Sequence, residues 1–192
     1  IFSSSSSVVG DGDGPVSPYA LQKLYDEMQC RLWSKIYGLD TVSLRYFNVY
    51  SEDQQAKTAY ATAIANWMYY IRENKTPFLN GDGNNRRDML HVSDAISANI
   101  FVMQYDGIFN GKSYDVGTGS NISLNEIIEI IHGYFPNVEF EKRPPRKGDV
   151  LLTRAKTSDL RKLGWQAKIQ IEDGIKSCFE TLRSFKLGMG RS

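Results

Sequence analysis

Hydrophobic residues recur along the chain in two periods, and the switches between them mark its elements. Ile1-Phe2 leads through a serine run to Val8-Val9, a β-prone start, before Gly10-Asp11-Gly12-Asp13-Gly14-Pro15 imposes a loop. From Ser17 the period changes: Leu21, Leu24, Met28, Leu32 and Ile36 step by three and four as far as Gly38. That pattern predicts an amphipathic helix with Ser17 as its N-cap and a glycine stop. Residues 41–50 are β-branched and aromatic, hence a strand, and residues 58–73 read as a second helix rich in Ala, Ile, Trp and Tyr. Turn residues dominate 78–88, a short strand follows at 89–92, and Ser93 caps a helix that runs to about 104. A strand at 113–116 precedes Ser123-x-x-Glu126, a capping box that opens a helix with Ile127, Ile128, Ile130 and Ile131 on its apolar side. A basic, proline-bearing loop at 142–147, a short helix closed by Gly164 and a last helix from about 171 complete the chain. Strands alternating with helices, with no internal repeat, predict an α/β fold.

Composition narrows the classes open to such a fold. The 192 residues are 41% hydrophobic, with 23 Lys plus Arg against 22 Asp plus Glu and a net charge of +1, as in a packed globular chain. Balanced charge without a basic run argues against nucleic acid as a partner. No apolar stretch approaches the roughly 20 residues that span a bilayer and no signal core opens the chain, so the expectation is a soluble, cytoplasmic protein with no membrane partner. Cys30 and Cys178 have no Cys-x-x-Cys or His-rich surroundings, which predicts two small buried hydrophobes instead of a disulfide or zinc site. The first residues lack Met and read as the interior of a longer polypeptide.

Three glycine clusters imitate a phosphate-binding loop, and each fails the full Gly-x-Gly-x-x-Gly pattern. Pro15, Arg86 and Ile122 stand where the third glycine belongs after Gly10-x-Gly12, Gly81-x-Gly83 and Gly117-x-Gly119. Asp11-x-Asp13-Gly14 lacks the Glu of a calcium loop. A sharper signal is Tyr19-x-x-x-Lys23, which puts a phenol and an ammonium on one face of the first helix. A phenol is a poor base near neutral pH, and a neighbouring ammonium favours its ionised form. A hydroxyl from the preceding serine run would complete a set for moving a proton on an alcohol oxygen.

The order of motifs extends this reading. A strand ending in Ser-Ser-Ser, then Ser17-Pro18-Tyr19-Ala20-x-x-Lys23, then Leu44-Arg45-Tyr46-Phe47-Asn48-Val49-Tyr50, then Asn80-Gly81-Asp82-Gly83 with Arg87-Asp88, then Arg146-x-Gly148-Asp149, resembles one family throughout. The chain is similar to the C-terminal two-thirds of the extended short-chain dehydrogenase/reductases, the NAD-dependent nucleotide-sugar epimerases and dehydratases. The likeness is greatest to the UDP-hexose 4-epimerases. It implies an NAD(P)-binding, Rossmann-like α/β fold with a smaller α/β substrate domain, divided as residues 1–56 and 88–118 against 57–87 and 119–192. By the same resemblance Ser5, Tyr19 and Lys23 are catalytic, with Ser4 and Ser6 as alternatives to Ser5, and Tyr19, Lys23 and Tyr46 meet the NAD cofactor. Asn48, Arg87, Arg146 and Asp149 match sugar, diphosphate and ribose contacts. Phe78 and Asn80 match the base-binding positions, Trp67 and Leu124 match apolar walls, and Thr153 matches a position whose small size admits N-acetylated sugars. His91 and His132 read as structural.

Ser6 and Ser7 stand where the 4,6-dehydratases carry Asp and Glu, so the resemblance favours epimerisation of a UDP-hexose or UDP-N-acetylhexosamine over dehydration. Val9 and Lys156 replace a usual Tyr and Asp, and the Ser5-to-Tyr19 connection is shorter than the family's by about ten residues, in a loop region that tolerates deletion. The sequence contains no Gly-x-x-Gly-x-x-Gly loop for a cofactor pyrophosphate. The chain alone is therefore expected to be nearly inactive, with an uncovered sheet edge and apolar surface, and the complete enzyme to be a homodimer. A non-catalytic remnant that binds a nucleotide sugar or a partner subunit is the competing reading.

Overall fold

A computed structural model describes residues 1–10, 12–56, 61–145 and 150–189. Three parallel strands form the main sheet, β1 (Phe2–Ser5), β2 (Val42–Tyr46) and β7 (Lys112–Val116), in the order β1-β2-β7. Ser4 lies opposite Arg45, and Arg45 opposite Asp115. The connections are the helical crossovers that parallel strands require. β1 is an edge strand among the described residues. The expected extension of β structure to Val8-Val9 gives way to a 3-10 turn at Ser6–Val8, because the Ser5 side chain accepts from Ser7 N and caps the turn.

Helix α1 (Pro18–Tyr37) begins as its sequence predicts: Ser17 Oγ accepts from Ala20 N at 3.1 Å, proline takes the first turn, and Gly38 ends the helix at φ 68°. Its apolar stripe faces the other way. Leu21, Met28, Leu32 and Ile36 are 48–62% exposed, and the residues of α1 buried against the sheet are Ala20 and Glu27. The helix packs through its small and polar side instead of the face that its hydrophobic period marks.

The strand expected over 41–50 is two strands. β2 ends at Tyr46, Asn48 turns the chain at φ 37°, and β3 (Val49–Tyr50) leaves to pair with β6 (Leu90–His91). The second helix, α2 (Ala63–Arg72), starts later than the expected 58, where Thr62 Oγ1 accepts from Ala65 N; residues 57–60 lie outside the described residues. α3 (Val92–Met103) is capped by the side chain of His91, whose Nδ1 accepts from Ser93 N, and not by Ser93. α4 (Leu124–Tyr134) has both bonds of its capping box, Glu126 N to Ser123 Oγ at 3.1 Å and Ser123 N to Glu126 Oε2 at 2.7 Å. α5 (Ser158–Leu163) stops at Gly164, and α6 (Ile171–Met189) closes the fold.

The turn-rich stretch and the basic loop hold short strands that residue type did not reveal. β4 (Phe78–Asn80) pairs with β9 (Glu141–Arg143), and β5 (Arg86–Arg87) with β8 (Ile122–Ser123). Two apolar clusters result. Val42, Leu44 and Val116 pack with Ala98, Val102, Leu160 and Trp165, while Ile64, Trp67, Ile71, Ile127, Ile131, Ile175 and Phe179 join α2, α4 and α6. Cys178 is buried in the second cluster, whereas Cys30 is only half-buried on α1, because its helix offers the sheet so narrow a face.

Candidate active site

A cleft of about 580 Å³ opens at the C-terminal ends of β1 and β2, where parallel α/β sheets hold their ligands. One wall is the serine run with the first turn of α1. The other is the start of α2 with Leu79, Asn80, Arg87, Met89, Leu124 and Ile127. Ser5, Tyr19, Lys23, Tyr46, Asn48, Trp67, Asn80, Arg87 and Leu124, each singled out in the sequence, all line it.

The first wall is held by specific bonds. Ser5 Oγ accepts from Ser7 Oγ at 2.9 Å and from Ser7 N at 3.2 Å, so its own O–H is left to donate. Lys23 Nζ donates to the carbonyl of Ser3 at 2.8 Å and lies 4.9 Å from the centroid of the Phe2 ring and 5.9 Å from that of Tyr19. One N–H used on Ser3 leaves two for a ligand. Tyr46 is fixed from behind, its hydroxyl accepting from Asn99 Nδ2 at 2.7 Å.

The second wall is more committed to the protein than its sequence suggests. Both N–H groups of the Asn48 amide are taken, by Asp88 O at 2.8 Å and Thr153 Oγ1 at 3.1 Å, so its carbonyl oxygen is the group left to face a ligand. Trp67 is 2% exposed, donates to Phe78 O at 2.8 Å and meets Phe140 edge-on, a core residue showing one edge to the cleft. Two of the expected residues stand outside this lining. Phe78 does not line the cleft, because its ring lies under the Arg143 guanidinium, 3.9 Å away, and against Tyr70. Thr153 does not line it either; it sits behind Asn48, its hydroxyl accepting from Asn48 and from Asp88 N at 3.0 Å. Arg146 and Asp149 lie outside the described residues.

The glycine loop after β7 is explained by a neighbour. Thr118 N, Thr118 Oγ1, Gly119 N and Ala155 N all donate to the buried Asp88 carboxylate at 2.8–3.0 Å. A Cβ on Gly117 would lie 2.9 Å from Asp88 Oδ2. The loop's backbone donors thus already hold an anion, the protein's own.

Several lining residues escaped sequence reasoning, among them Gln54, Thr62 and Asn66. Thr62 and Asn66 lie one helical turn apart, and Thr62 Oγ1 donates to Gln54 Oε1 at 2.9 Å. Their spacing before Trp67 was the available signal. Among the described residues, the lining contains no Asp or Glu and no cluster of His, Cys, Asp and Glu suits a metal ion.

A profile of the NAD dependent epimerase/dehydratase family matches residues 1–117. The putative UDP-glucose 4-epimerase of Methanocaldococcus jannaschii is 33% identical over 165 residues, 84% of this chain and 52% of that protein. Two solved structures superpose closely. The UDP-N-acetylglucosamine 4-epimerase of Methanobrevibacter ruminantium, in complex with UDP-N-acetylmuramic acid, gives a TM-score of 0.86 at 29% identity, over 96% of this chain and 62% of that one. The UDP-glucose 4-epimerase of Thermotoga maritima with UDP-glucose gives 0.87 at 28%, over 96% and 63%. The chain spans about half the length of the curated relatives it matches.

Proposed function

We propose, on the premise that the chain belongs to the NAD dependent epimerase/dehydratase family, that it carries the proton-transfer residues and sugar-nucleotide wall of a 4-epimerase. The substrate class is a UDP-hexose or UDP-N-acetylhexosamine. The observation that carries this reading is the cleft itself, with Ser5, Tyr19 and Lys23 on one side and Trp67, Asn80, Arg87 and Leu124 on the other. Elimination of water needs a second acid/base pair, and the described lining, with Ser6 and Ser7 beside Ser5, has no carboxylate to supply one.

The family is NAD dependent, and the residues here fit the nicotinamide-ribose end of that cofactor. Lys23 has N–H groups to spare for ribose hydroxyls, and Tyr19 and Tyr46 line the same corner. When bound, NAD would supply a reversible hydride acceptor for the sugar C4. Tyr19 Oη takes the proton of the C4 hydroxyl while Ser5 O–H donates to the same oxygen. Lys23 orients the ribose and faces Tyr19. Once the 4-keto sugar has turned over in the cleft, Tyr19 gives the proton back and the configuration at C4 is inverted. Arg87 would hold the diphosphate, for which a guanidinium fork is suited. Arg146 and Asp149 belong to the same proposed wall.

The proposal extends to the whole protein. Residues 1–56 and 88–118 would be the remainder of the cofactor-binding unit and 57–87 with 119–192 the sugar-nucleotide unit. The two apolar clusters follow that division in the main, although Leu160 and Trp165 cross it one way and Tyr50 and Met89 the other. The complete enzyme would be a cytoplasmic homodimer, for which the exposed stripe Leu21, Tyr25, Met28, Leu32 and Ile36 offers apolar surface. Among the described residues, no helix is long and apolar enough to cross a membrane. Without a pyrophosphate loop, residues 1–192 alone would turn over slowly. The test is interconversion of UDP-glucose and UDP-galactose, or their N-acetylated counterparts, by the full polypeptide with NAD. Tyr19→Phe should abolish it, and a 6-deoxy-4-keto product would select a 4,6-dehydratase instead.

A further inference from the structure

We propose that Glu27 is the positioning residue that sets Tyr19 and Lys23 against Ser5, a role that rests on the proton-transfer assignment above. Glu27 is 1% exposed, and its carboxylate gathers a side chain from each strand of the main sheet. Oε1 accepts from Ser4 Oγ of β1 at 2.5 Å and from Arg45 Nε of β2 at 2.8 Å. Oε2 accepts from Arg45 Nη2 at 2.6 Å and from Ser113 Oγ of β7 at 2.8 Å. Two hydroxyls and a two-pronged guanidinium fill its acceptor sites, as a buried charge requires.

Three features turn this clamp toward the cleft. Glu27 follows Lys23 by one helical turn and shares its face of α1. Ser4 lies between Ser3, whose carbonyl accepts from Lys23, and Ser5, the candidate hydroxyl. The apolar residues of α1 face outward, and Ala20 is its other residue buried against the sheet, so packing alone gives the helix little to fix its axial position. Directional bonds from one carboxylate fix what smooth apolar contact would leave free to slide. A small displacement at the reacting atoms costs rate out of proportion to its size.

The test compares wild type, Glu27→Gln and Ser4→Ala in the full polypeptide. The Lys23 ammonium lies 4.9 Å from the Phe2 ring centroid and 5.9 Å from that of Tyr19, so the proton chemical shifts of its ε-methylene, identified with Lys23→Arg, report its position. Both variants should move those shifts toward values for a solvated lysine. They should also lower kcat by roughly 10- to 100-fold with KM within about twofold. Ser4→Ala leaves no buried charge unpaired, so it keeps the test open if Glu27→Gln fails to fold. Wild-type lysine shifts and wild-type kcat in Ser4→Ala, with any Glu27→Gln defect confined to thermal stability, would overturn the proposal. Loss of activity in Tyr19→Phe alongside that result would leave the 4-epimerase reading standing, whereas an active Tyr19→Phe would remove the premise of both.

Discussion

Lys23 on α1 and Ser3 on β1 are joined by a 2.8 Å hydrogen bond from the ammonium to the backbone carbonyl, with the Phe2 ring flanking the same ammonium. The bond ties the helix that carries Tyr19 to the strand that carries Ser5. Lys23→Met should therefore lower kcat by at least about 100-fold, since both the charge beside Tyr19 and the proposed ribose contact disappear. Stability should fall by only about 1 kcal/mol, the net worth of one such bond. Steady-state kinetics and urea unfolding on the same preparation separate the two effects.

The two walls of the cleft should fail differently. Arg87→Gln removes the proposed diphosphate contact, remote from the reacting carbon, so KM for the UDP-sugar should rise about tenfold with kcat nearly unchanged. Ser5→Ala removes the proposed donor to the reacting oxygen, so kcat should fall roughly 10- to 100-fold with little change in KM. A reversal of this pattern would mean that the substrate lies the other way round.

Stability should weaken in acid, in part through Glu27. Burial pushes its carboxyl upward, but the bonds from Arg45, Ser4 and Ser113 outweigh that and leave it below the ordinary carboxylate range. A depressed carboxyl stabilises the fold above its unfolded value, about 4.3, and that contribution is lost as pH falls through the folded value. Asp115, raised mainly by burial, works in the opposite sense: its contribution is present at low pH and fades as pH rises through its folded value. Urea midpoints from about pH 3 to 7 should show a shallower acid limb in Glu27→Gln than in wild type.

Asp88→Asn should destabilise the protein by about 3 kcal/mol, because the Gly119 and Ala155 donors would face an amide N–H₂ in a fully buried site. Amide hydrogen exchange should locate the first opening at 117–120 and at Ala155.

The cysteines should differ under alkylation. Burial pushes the Cys178 thiol up to about 12, and it lies in the second core, whereas Cys30 is partly exposed. Iodoacetamide on the native protein near pH 8, followed by mass analysis, should label Cys30 and spare Cys178.

Signals carried by neighbouring residues were legible in the sequence. The capping box Ser123 and Glu126, the Ser17 cap, the Gly38 stop and the Tyr19–Lys23 pair each depend on a few consecutive positions. Ser5, Asn48, Asn80 and Arg87 were legible only through the order of motifs along the chain. Relationships made by distant partners were not. Asn48 meets Thr153 across 105 residues, Glu27 meets Ser113 across 86, and Asp88 meets Ala155 across 67. For the same reason the apolar stripe of α1 predicted its helix but not which face meets the sheet. A position in a motif likewise does not disclose that Arg143 lies over Phe78 or that Asn48 stands in front of Thr153.

Asn48 turns the chain between two strands at φ 37°, a conformation that glycine, asparagine and aspartate enter with least strain. Its side chain must also supply two N–H groups, to Asp88 and to Thr153. Glycine meets the first demand and has no amide; aspartate meets it and has no N–H; glutamine has the amide and the wrong backbone preference. Asparagine satisfies both, so this position on the wall of the cleft should exchange poorly with any of the three.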